Sequence, residues 1–178
     1  MSARHLTREE LDAGLDSIRR SPQDEGVLEL IVRRPRPNAR EVLERAHLDS
    51  AEGLIGDSWR TRGHSPDPET QLNVMNSRVI ALIAQEQARW PLAGDQLFLD
   101  MDLGAENLPP GTRIEIGAAS IEVSAEPHTG CGKFVERFGV DAMKFVNSPL
   151  GRQLRLRGIN ARVVRAGLVR VGDRARKT

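Results

Sequence analysis

Short apolar runs of the kind that form β-strands recur along this chain, separated by glycine and proline residues. In the clearest pair of runs, polar and apolar residues alternate on either side of Gly117-Ala118-Ala119, which predicts a β-hairpin. The predicted strands are, in order, 26–33, 72–75, 96–99, 112–116, 120–124, 160–165 and 168–171. Many short strands with glycine turns and few helices favour a mainly β barrel with attached helices.

The remaining patterned segments predict a small number of helices outside the barrel. Thr7 and Glu10 have the spacing of a capping box, and a narrow stripe of leucine and isoleucine follows them. Ser77 is a candidate cap for a helix over 78–90, and a further helical region follows Gly132. We therefore expect a mainly β fold with a few peripheral α-helices, α+β overall, and a loop-rich stretch between the first two predicted strands.

Length, charge and hydropathy limit the class of protein. The chain has 178 residues, which suits one domain, and its 26 basic and 25 acidic residues leave a net charge of +1. That balance argues against a nucleic-acid partner, because such proteins usually carry a clear basic excess. The longest aliphatic run, 79–84, is far shorter than the ~20 residues that span a bilayer, and the charged N-terminus lacks the apolar core of a secretory signal. We expect a cytoplasmic protein with no membrane partner.

A single cysteine stands in the most informative stretch of the sequence, Pro127-His128-Thr129-Gly130-Cys131-Gly132-Lys133-Phe134. One cysteine excludes an internal disulfide and a Cys-based zinc cluster within one chain. Glycines on both sides remove bulk around Cys131, which follows a predicted strand and precedes a predicted helix. A helix N-terminus, with His128 or Lys133 nearby, favours the thiolate, and nucleophilic sulfur chemistry and metal ligation both need that ionised form.

The residues alone leave several roles open for Cys131. In the simplest interpretation it is a small buried core residue. In a cysteine hydrolase it would pair with a histidine such as His47 or His64, and a zinc site would draw on the same histidines together with His128. No pair of these residues has a recognised metal spacing, and the chain carries no phosphate-loop or dinucleotide fingerprint.

Two arginine-rich segments are candidates for binding an anion. In a glycine-shaped loop, Arg60, Arg62 and His64 could contact an anion, or the loop could be plain surface with Asp57 bonding its own backbone. The last segment, 149–178, holds nine basic residues and one acid, and it forms either an anion-attracting face or a solvated surface.

Four segments follow one another in the order of a known family's motifs. They are Gly53-Leu54-Ile55-Gly56-Asp57, then 104–117 with its Glu106-Asn107-Leu108, then His128-Thr129-Gly130-Cys131, and finally 158–173 with its Ala161-Arg162-Val163. Together they resemble the MOSC domain, named after the C-terminal domain of molybdenum-cofactor sulfurases. The resemblance implies one MOSC-like domain over 26–175, after an N-terminal helix and linker at 1–25 and before a tail at 176–178.

The resemblance also implies a MOSC-type β-barrel and roles for particular residues. Cys131 stands where the family keeps its characteristic cysteine, so it would carry sulfur as a persulfide or ligate molybdenum held by a pterin. The residues around the anionic cofactor would be Arg60, Arg62, His64, Asn107, His128, Thr129 and Lys133. The implied cofactor is the molybdenum cofactor, molybdopterin. No pyridoxal phosphate is expected in this chain, because the desulfurase domain of the sulfurases has no counterpart in it.

Three functions stay open. As a small stand-alone bacterial member of the family, the chain would carry sulfur through Cys131 for molybdenum-cofactor or metal–sulfur chemistry. Its partners would then be a sulfur-donor enzyme, such as a cysteine desulfurase, and a molybdoenzyme acceptor. Alternatively, it is a small molybdenum-dependent reductase of N-hydroxylated compounds with Cys131 as a metal ligand, or a pterin- or anion-binding module without cysteine chemistry. Its enzyme class is thus open between a sulfurtransferase and a molybdenum-dependent oxidoreductase.

Overall fold

The computed structural model describes residues 3–63 and 65–178. The helices in these residues are α1 (Arg8–Ala13), α2 (Leu15–Arg19), α3 (Ser77–Ala84), α4 (Gly132–Phe138), α5 (Val140–Asn147) and α6 (Pro149–Gln153). The strands are β1 (Glu25–Arg33), β2 (Glu41–Leu43), β3 (Arg45–Asp49), β4 (Gly53–Leu54), β5 (Leu72–Asn76), β6 (Leu97–Asp100), β7 (Arg113–Ile116), β8 (Ala119–Val123), β9 (Ile159–Arg165), β10 (Gly167–Arg170) and β11 (Arg174–Lys177).

Seven strands of the described residues close into a barrel. Their order is β11-β7-β8-β9-β5-β6-β1, and β11 also pairs with β1, which joins the two edges of the sheet. Neighbouring strands are antiparallel except for β5 and β6, which run parallel. β2 pairs with the far end of β1 and extends the sheet outward. The predicted fold class, a mainly β barrel with peripheral helices, is confirmed.

Alternate residues of the barrel strands face two different hydrophobic cores. In β6, Leu97 and Leu99 belong to the core inside the barrel, whereas Phe98 packs in the core between the barrel and the helices. A β-bulge between Leu28 and Leu30 of β1 reverses which alternate residues point inward. As a result, Leu28 faces the barrel core and Leu30 faces the helices. Because the barrel interior is filled with apolar side chains, polar functional side chains are expected at the outer surface and the rim of the barrel.

A second, three-stranded sheet forms mostly within the stretch that the sequence predicted to be loop-rich. Its order is β10-β3-β4. In β3, Ala46 and Leu48 are buried, while Arg45 and His47, which alternate with them, are exposed. The segment over 34–72 is loop-rich, as predicted, but the sequence missed the three short strands within it, because strands as short as β2 and β4 contain too few residues to show a period.

The N-terminal helix begins as the sequence predicted. The hydroxyl of Thr7 accepts a hydrogen bond from the backbone N–H of Glu10 at 3.3 Å, and the carboxylate of Glu10 accepts one from the N–H of Thr7 at 2.8 Å. The helix divides at Gly14 into α1 and α2. Leu11 is fully buried in the helix-facing core, so this segment packs on the outside of the barrel.

The predicted helix that follows β5 is shorter than expected. Asn76, rather than Ser77, caps α3, with its side-chain oxygen 2.8 Å from the N–H of Arg78. α3 ends before Gln85, whose φ of 68° is left-handed, and a 3-10 helix replaces the remaining turns. None of the helices in the described part of the chain has the length and apolar character that a membrane crossing requires.

The last strand closes the barrel. In β11, Ala175 is fully buried and lies opposite Gly26 of β1 on one side and Ile116 of β7 on the other. The predicted tail at 176–178 begins inside this strand. On its other side β1 approaches β6 closely at Gly26, where a Cβ would lie 2.1 Å from the carbonyl oxygen of Asp100, so this position requires glycine.

Candidate functional site

Cys131 lies on the surface at the start of α4. Its side chain is exposed, and its backbone is the N-cap of the helix, with its carbonyl accepting a hydrogen bond from the N–H of Phe134 at 3.0 Å. Nothing lies within 4 Å of the position that a Cβ on Gly132 would occupy, so the thiol is approachable from that side. The interpretation of Cys131 as a buried core residue is therefore wrong.

The pKa of the Cys131 thiol lies below its ordinary value. Burial is the largest single effect and raises the pKa, but the backbone N–H groups of Phe134 and Lys133 and the charges of Arg157 and Arg137 together lower it by more. These two amides lie in the first turn of α4, so the thiol sits at the positive end of this helix. A larger share of the sulfur is thiolate at neutral pH than in a free cysteine.

A strongly basic cavity of about 290 Å³ opens beside Cys131. Its cationic side chains are Arg34, Arg36, Arg40, Arg62, Lys133, Arg137 and Arg157. Among the described residues that line it, none is an aspartate or a glutamate. We call this cavity the basic pocket. Carboxylates behind its wall pair with Arg34 and Arg157, and the excess positive charge of the other side chains attracts anions.

Arg34 is fixed from behind the basic pocket by Asp57. Nε and Nη2 of Arg34 donate to the two carboxylate oxygens of Asp57 at 2.9 and 2.8 Å, and Nη1 donates to the side-chain oxygen of Asn73 at 3.0 Å. Burial raises the pKa of Asp57, but the hydrogen bonds and charge of Arg34 bring it below its ordinary value. The same carboxylate accepts from the N–H of Trp59, so Asp57 both shapes its own turn and orients an arginine at the pocket.

Asp95 and Arg157 form a second buried ion pair behind the pocket. Nη1 of Arg157 donates to Oδ1 of Asp95 at 2.6 Å, and Nη2 donates to the carbonyl of Ala93 at 2.9 Å. Burial raises the pKa of Asp95, while the charge of Arg157, joined by that of His128 when the ring is protonated, pulls it below its usual range. Arg157 is thereby held in place where it lines the basic pocket.

His128 lies between this ion pair and the solvent. Its Nε2 is 3.3 Å from Oδ2 of Asp95, although the two atoms do not meet hydrogen-bond geometry. Burial and the positive charge of Arg157 lower the pKa of His128, and the attraction of Asp95 opposes them only in part. His128 is therefore neutral at physiological pH, and its ring lines the basic pocket without adding charge.

The structure gathers four of the residues predicted to bind a cofactor. Arg62, His128 and Lys133 line the basic pocket. Thr129 lines an open cleft of about 540 Å³, which also includes Arg62 and His128. We call this the outer cleft; it shares three lining residues with the basic pocket, Arg62, Asn73 and His128.

Other predicted site residues lie elsewhere. Arg60 is exposed and donates to the carbonyl of Ala51 at 3.2 Å, and it lines neither the basic pocket nor the outer cleft. Asn107 also lines neither cavity. Its amide donates to the carbonyls of Gln23 and Asp102 at 2.9 and 2.8 Å, so the surrounding turn uses it to join two backbone segments. His64 lies outside the described residues.

The hydrolase and zinc interpretations gain no support from the described part of the chain. His47 lies on the exposed face of β3, in the second sheet, and does not line the basic pocket. Within residues 3–63 and 65–178, no group of three or more histidine, cysteine, aspartate or glutamate side chains is placed to hold a metal ion. A thiol among arginines is instead suited to a sulfur-containing or anionic ligand.

Sequence reasoning missed most of the arginines in the basic pocket. Arg34 and Arg36 directly follow the predicted strand 26–33, in Arg34-Pro35-Arg36-Pro37, and Arg40 comes a few residues later. Arginines alternating with prolines directly after a strand were the available signal, because prolines stiffen a loop that presents them. Arg137 gave no separate signal beyond its position in the helical region after Cys131.

The basic C-terminal segment divides into two parts. Arg157 lines the basic pocket, so this residue of the segment lies at an anion-attracting surface. On the barrel surface, by contrast, Arg162 pairs with Glu122 at 2.8 Å and Arg176 pairs with Glu115 at 3.0 Å. Most of the segment is therefore a surface of exposed ion pairs.

Comparison with known proteins agrees with this architecture. No curated protein matches the chain. The structure resembles that of YuaD from Bacillus subtilis, with 17% sequence identity, a TM-score of 0.58, and 86% of this chain and 95% of that one covered. It also resembles YiiM from Escherichia coli, with 17% identity, a TM-score of 0.56, and coverage of 85% and 69%. YiiM from Geobacillus stearothermophilus gives 11% identity, a TM-score of 0.53, and coverage of 86% and 73%.

These likenesses establish a shared fold. The sequence profile of the MOSC domain matches residues 61–176, which include Cys131, much of the basic pocket and the closing strands of the barrel. The match covers more than half of the chain and confirms the predicted resemblance; three of the four collinear motifs lie within it, and Gly53-Leu54-Ile55-Gly56-Asp57 precedes it. The chain belongs to the MOSC domain family.

Proposed function

We propose that this protein carries sulfur on Cys131 and delivers it to molybdenum-cofactor or related metal–sulfur chemistry. One observation carries the proposal: an exposed thiol with a lowered pKa lies at a pocket with seven cationic side chains and no lining carboxylate among the described residues. An anionic partner and an ionised sulfur are thus favoured at the same place.

The donor set of the basic pocket fits the phosphate-bearing pterin of the molybdenum cofactor. Arginine guanidinium groups match phosphate oxygens in geometry and charge, and Arg62 and Lys133 lie at the pocket without a carboxylate partner among the described residues. Arg34 and Arg157 are anchored by Asp57 and Asp95. The bound cofactor would supply a molybdenum centre with a soft, sulfur-rich ligand field, which a thiolate suits.

Loading of Cys131 is a thiol–persulfide exchange. The Cys131 thiolate attacks the outer sulfur of a persulfide on a donor protein, such as a cysteine desulfurase. A sulfur–sulfur bond to Cys131 forms, the donor's sulfur–sulfur bond breaks, and the donor cysteine leaves as a thiolate. No oxidant or reductant is consumed in this step.

Delivery reverses the roles. A thiolate of the acceptor molybdoenzyme attacks the outer sulfur, the sulfur–sulfur bond to Cys131 breaks, and Cys131 leaves as a thiolate, so that the acceptor now holds the persulfide. The same amides of α4 and the charges of Arg157 and Arg137 that lower the pKa of Cys131 stabilise it as a leaving group. A reducing cytoplasm suits this cycle, since a lone exposed thiol stays free there.

A second candidate function rests on the same geometry. If the pterin occupies the basic pocket, Cys131 lies at the pocket's edge and offers a thiolate ligand to molybdenum. The protein would then be a molybdenum-dependent reductase of N-hydroxylated compounds. A pterin- or anion-binding module would instead use the arginines alone.

Intact-mass spectrometry and metal analysis distinguish the three. The protein is incubated with a cysteine desulfurase and L-cysteine, then compared with Cys131→Ser. We expect a mass gain of one sulfur atom in the wild type and none in the variant. Failure to gain sulfur, or an equal gain in Cys131→Ser, contradicts the carrier function. About one molybdenum per chain after expression with the cofactor pathway, lost in Cys131→Ser, supports the reductase instead.

The anion-binding half of the proposal has its own measurement. Inorganic pyrophosphate is titrated into the protein by calorimetry. We expect Lys133→Gln to weaken binding severalfold, because Lys133 lines the basic pocket. Lys144→Gln, which removes an exposed lysine of α5 outside that pocket, should leave it unchanged. Equal behaviour of the two variants would contradict a phosphate site in the basic pocket.

A further inference from the structure

Besides the outer cleft, another cavity, of about 280 Å³, adjoins the basic pocket. It shares His128 and Arg157 with the basic pocket, but Cys131 does not line it. Its walls come from the segment that precedes Cys131, from the ends of α5 and α6, and from the turn that leads into β9. We call it the second pocket, and nothing in the sulfur chemistry of Cys131 uses it.

Positive charge predominates at the second pocket. Arg152, Arg155 and Arg157 all line it, and among its described lining residues Glu126 is the one acid. Arg157 is neutralised by Asp95, whereas Arg152 and Arg155 form no ion pair with a described carboxylate. Two uncompensated guanidinium groups therefore face one exposed carboxylate.

The two uncompensated arginines differ in how they are held. Nη1 of Arg155 donates to the carbonyls of Leu103 and Leu108, which fixes its side chain over the backbone. Nε of Arg152 donates to the carbonyl of Asn147 at 3.0 Å, and its terminal nitrogens have no hydrogen-bond partner among the described residues. Because Arg152 is held at Nε while both of its Nη groups lack a partner among the described residues, its guanidinium can donate hydrogen bonds to a planar anion.

Buried polar groups at the pocket lack partners within the described protein. The hydroxyl oxygen of Ser124 and Nε of Arg157 are both buried and make no hydrogen bond there. Both residues line the second pocket. Buried polar groups are nearly always satisfied in native proteins, so a bound molecule or water is expected to complete them.

Part of the wall is apolar, although Thr129, Asn147 and Asn160 also line it. Val146 and Ile159 line the pocket and belong to the two hydrophobic cores. The pocket lies at the small end of the range for ligand-binding cavities, about 300–1,000 Å³. A molecule that suits it is small, has an apolar body and carries one negative charge.

We propose that the second pocket binds a small organic carboxylate, with its carboxylate at Arg152 and Arg155 and its apolar body against Val146 and Ile159. Inorganic phosphate lacks the apolar body and fits the basic pocket better. The second pocket shares five lining residues with the outer cleft, namely Glu126, Pro127, His128, Thr129 and Asn160. Cys131 lines neither of the two, and occupation of the second pocket does not depend on sulfur transfer by Cys131.

Fluorine NMR with 4-fluorobenzoate as the probe tests the proposal, and its neutral isostere 4-fluorobenzamide is the control ligand. We expect the carboxylate to bind and the amide to bind at least about tenfold more weakly, because the charge-assisted hydrogen bonds are lost. Equal affinity for the two ligands, or no binding of 4-fluorobenzoate, overturns the proposal. Cys131→Ser should bind the probe as the wild type does, so the result is independent of persulfide loading.

Matched variants assign the bound probe to a pocket. Arg152 is exposed, so its replacement leaves the fold intact. Arg152→Gln should weaken 4-fluorobenzoate about fivefold and Arg152→Lys should retain most of the affinity, while Arg19→Gln, at an exposed arginine of α2, should change nothing. If Lys133→Gln weakens the probe and Arg152→Gln does not, the probe occupies the basic pocket and the assignment is wrong.

Discussion

Arg157 donates a hydrogen bond of 2.6 Å to Asp95, and this buried pair lies where the basic pocket meets the second pocket. Asp95 is fully buried, and the side chain of Arg157 is 8% exposed. Because the guanidinium is anchored on one side, its remaining edge faces ligands in a fixed orientation. The pair therefore connects the stability of the rim with the chemistry of both cavities.

Removal of Arg157 should destabilise the fold strongly. In Arg157→Met the carboxylate of Asp95 stays buried without its partner, and breaking such a pair costs about 3–5 kcal/mol. We expect urea unfolding to shift to much lower denaturant concentration. Arg174→Gln, which breaks the exposed pair with Glu25, serves as the control and should change the midpoint little. A similar, small effect in both variants would mean that the buried pair does not stabilise the rim.

Alkylation of Cys131 should reveal a more acidic thiol than in a free cysteine. The rate of reaction with iodoacetamide follows the thiolate fraction, so its half-maximal pH should lie below that of cysteine in a short peptide. Arg137→Gln should raise that pH, since Arg137 lowers the pKa of Cys131 by charge. Arg19→Gln is the distant control. An alkylation profile in the wild type identical to the peptide's would contradict thiolate stabilisation by α4 and its neighbours.

Acidification should weaken the fold through His128. The pKa of His128 in the folded protein lies below that of the unfolded chain, chiefly because the ring is buried. The unfolded state therefore binds the proton more readily, so this stability is present above the unfolded pKa of about 6.5 and is lost as the pH falls below it. We expect the thermal midpoint to fall between pH 7.5 and pH 5.5.

The pH dependence has a matched control. His128→Gln should flatten the fall of the thermal midpoint, whereas His47→Gln, at an exposed position in β3, should keep it. Asp95 acts in the same direction at lower pH, because its pKa is depressed in the folded state and its stabilising charge is lost on protonation. An unchanged slope in His128→Gln would assign the acid sensitivity to other groups.

Loss of β11 should open the barrel. This strand pairs with both β1 and β7, so ending the chain after Asp173 leaves two unpaired edges and exposes the apolar interior. We expect binding of a hydrophobic dye and loss of a cooperative thermal transition. Removal of Thr178 alone deletes a single backbone hydrogen bond, to Arg113, and should preserve the transition. A cooperative transition in the longer deletion would show that the barrel does not need its closing strand.

Local sequence patterns predicted the elements that depend on interactions between residues close together in the chain. The capping box of Thr7 and Glu10 formed because two side chains three residues apart satisfy each other's backbone N–H groups. The hairpin around Gly117 formed because alternation and a glycine turn specify it together. The length of α3 was not predictable in this way, since the helical apolar pattern continued past the left-handed Gln85.

The sequence by itself determined the barrel class, the family motifs and the cysteine at the centre of the candidate site. Only the tertiary structure decided which charges surround that cysteine, because Arg34, which follows β1, and Arg157, which precedes β9, are far apart in the chain and are brought together by the pairing of β1, β6, β5 and β9. It also decided that Asn107, despite its motif, joins backbone segments instead of lining the pocket. Periodicity and spacing report contacts within one element, whereas a pocket is made by contacts between elements, and those depend on how the strands pair.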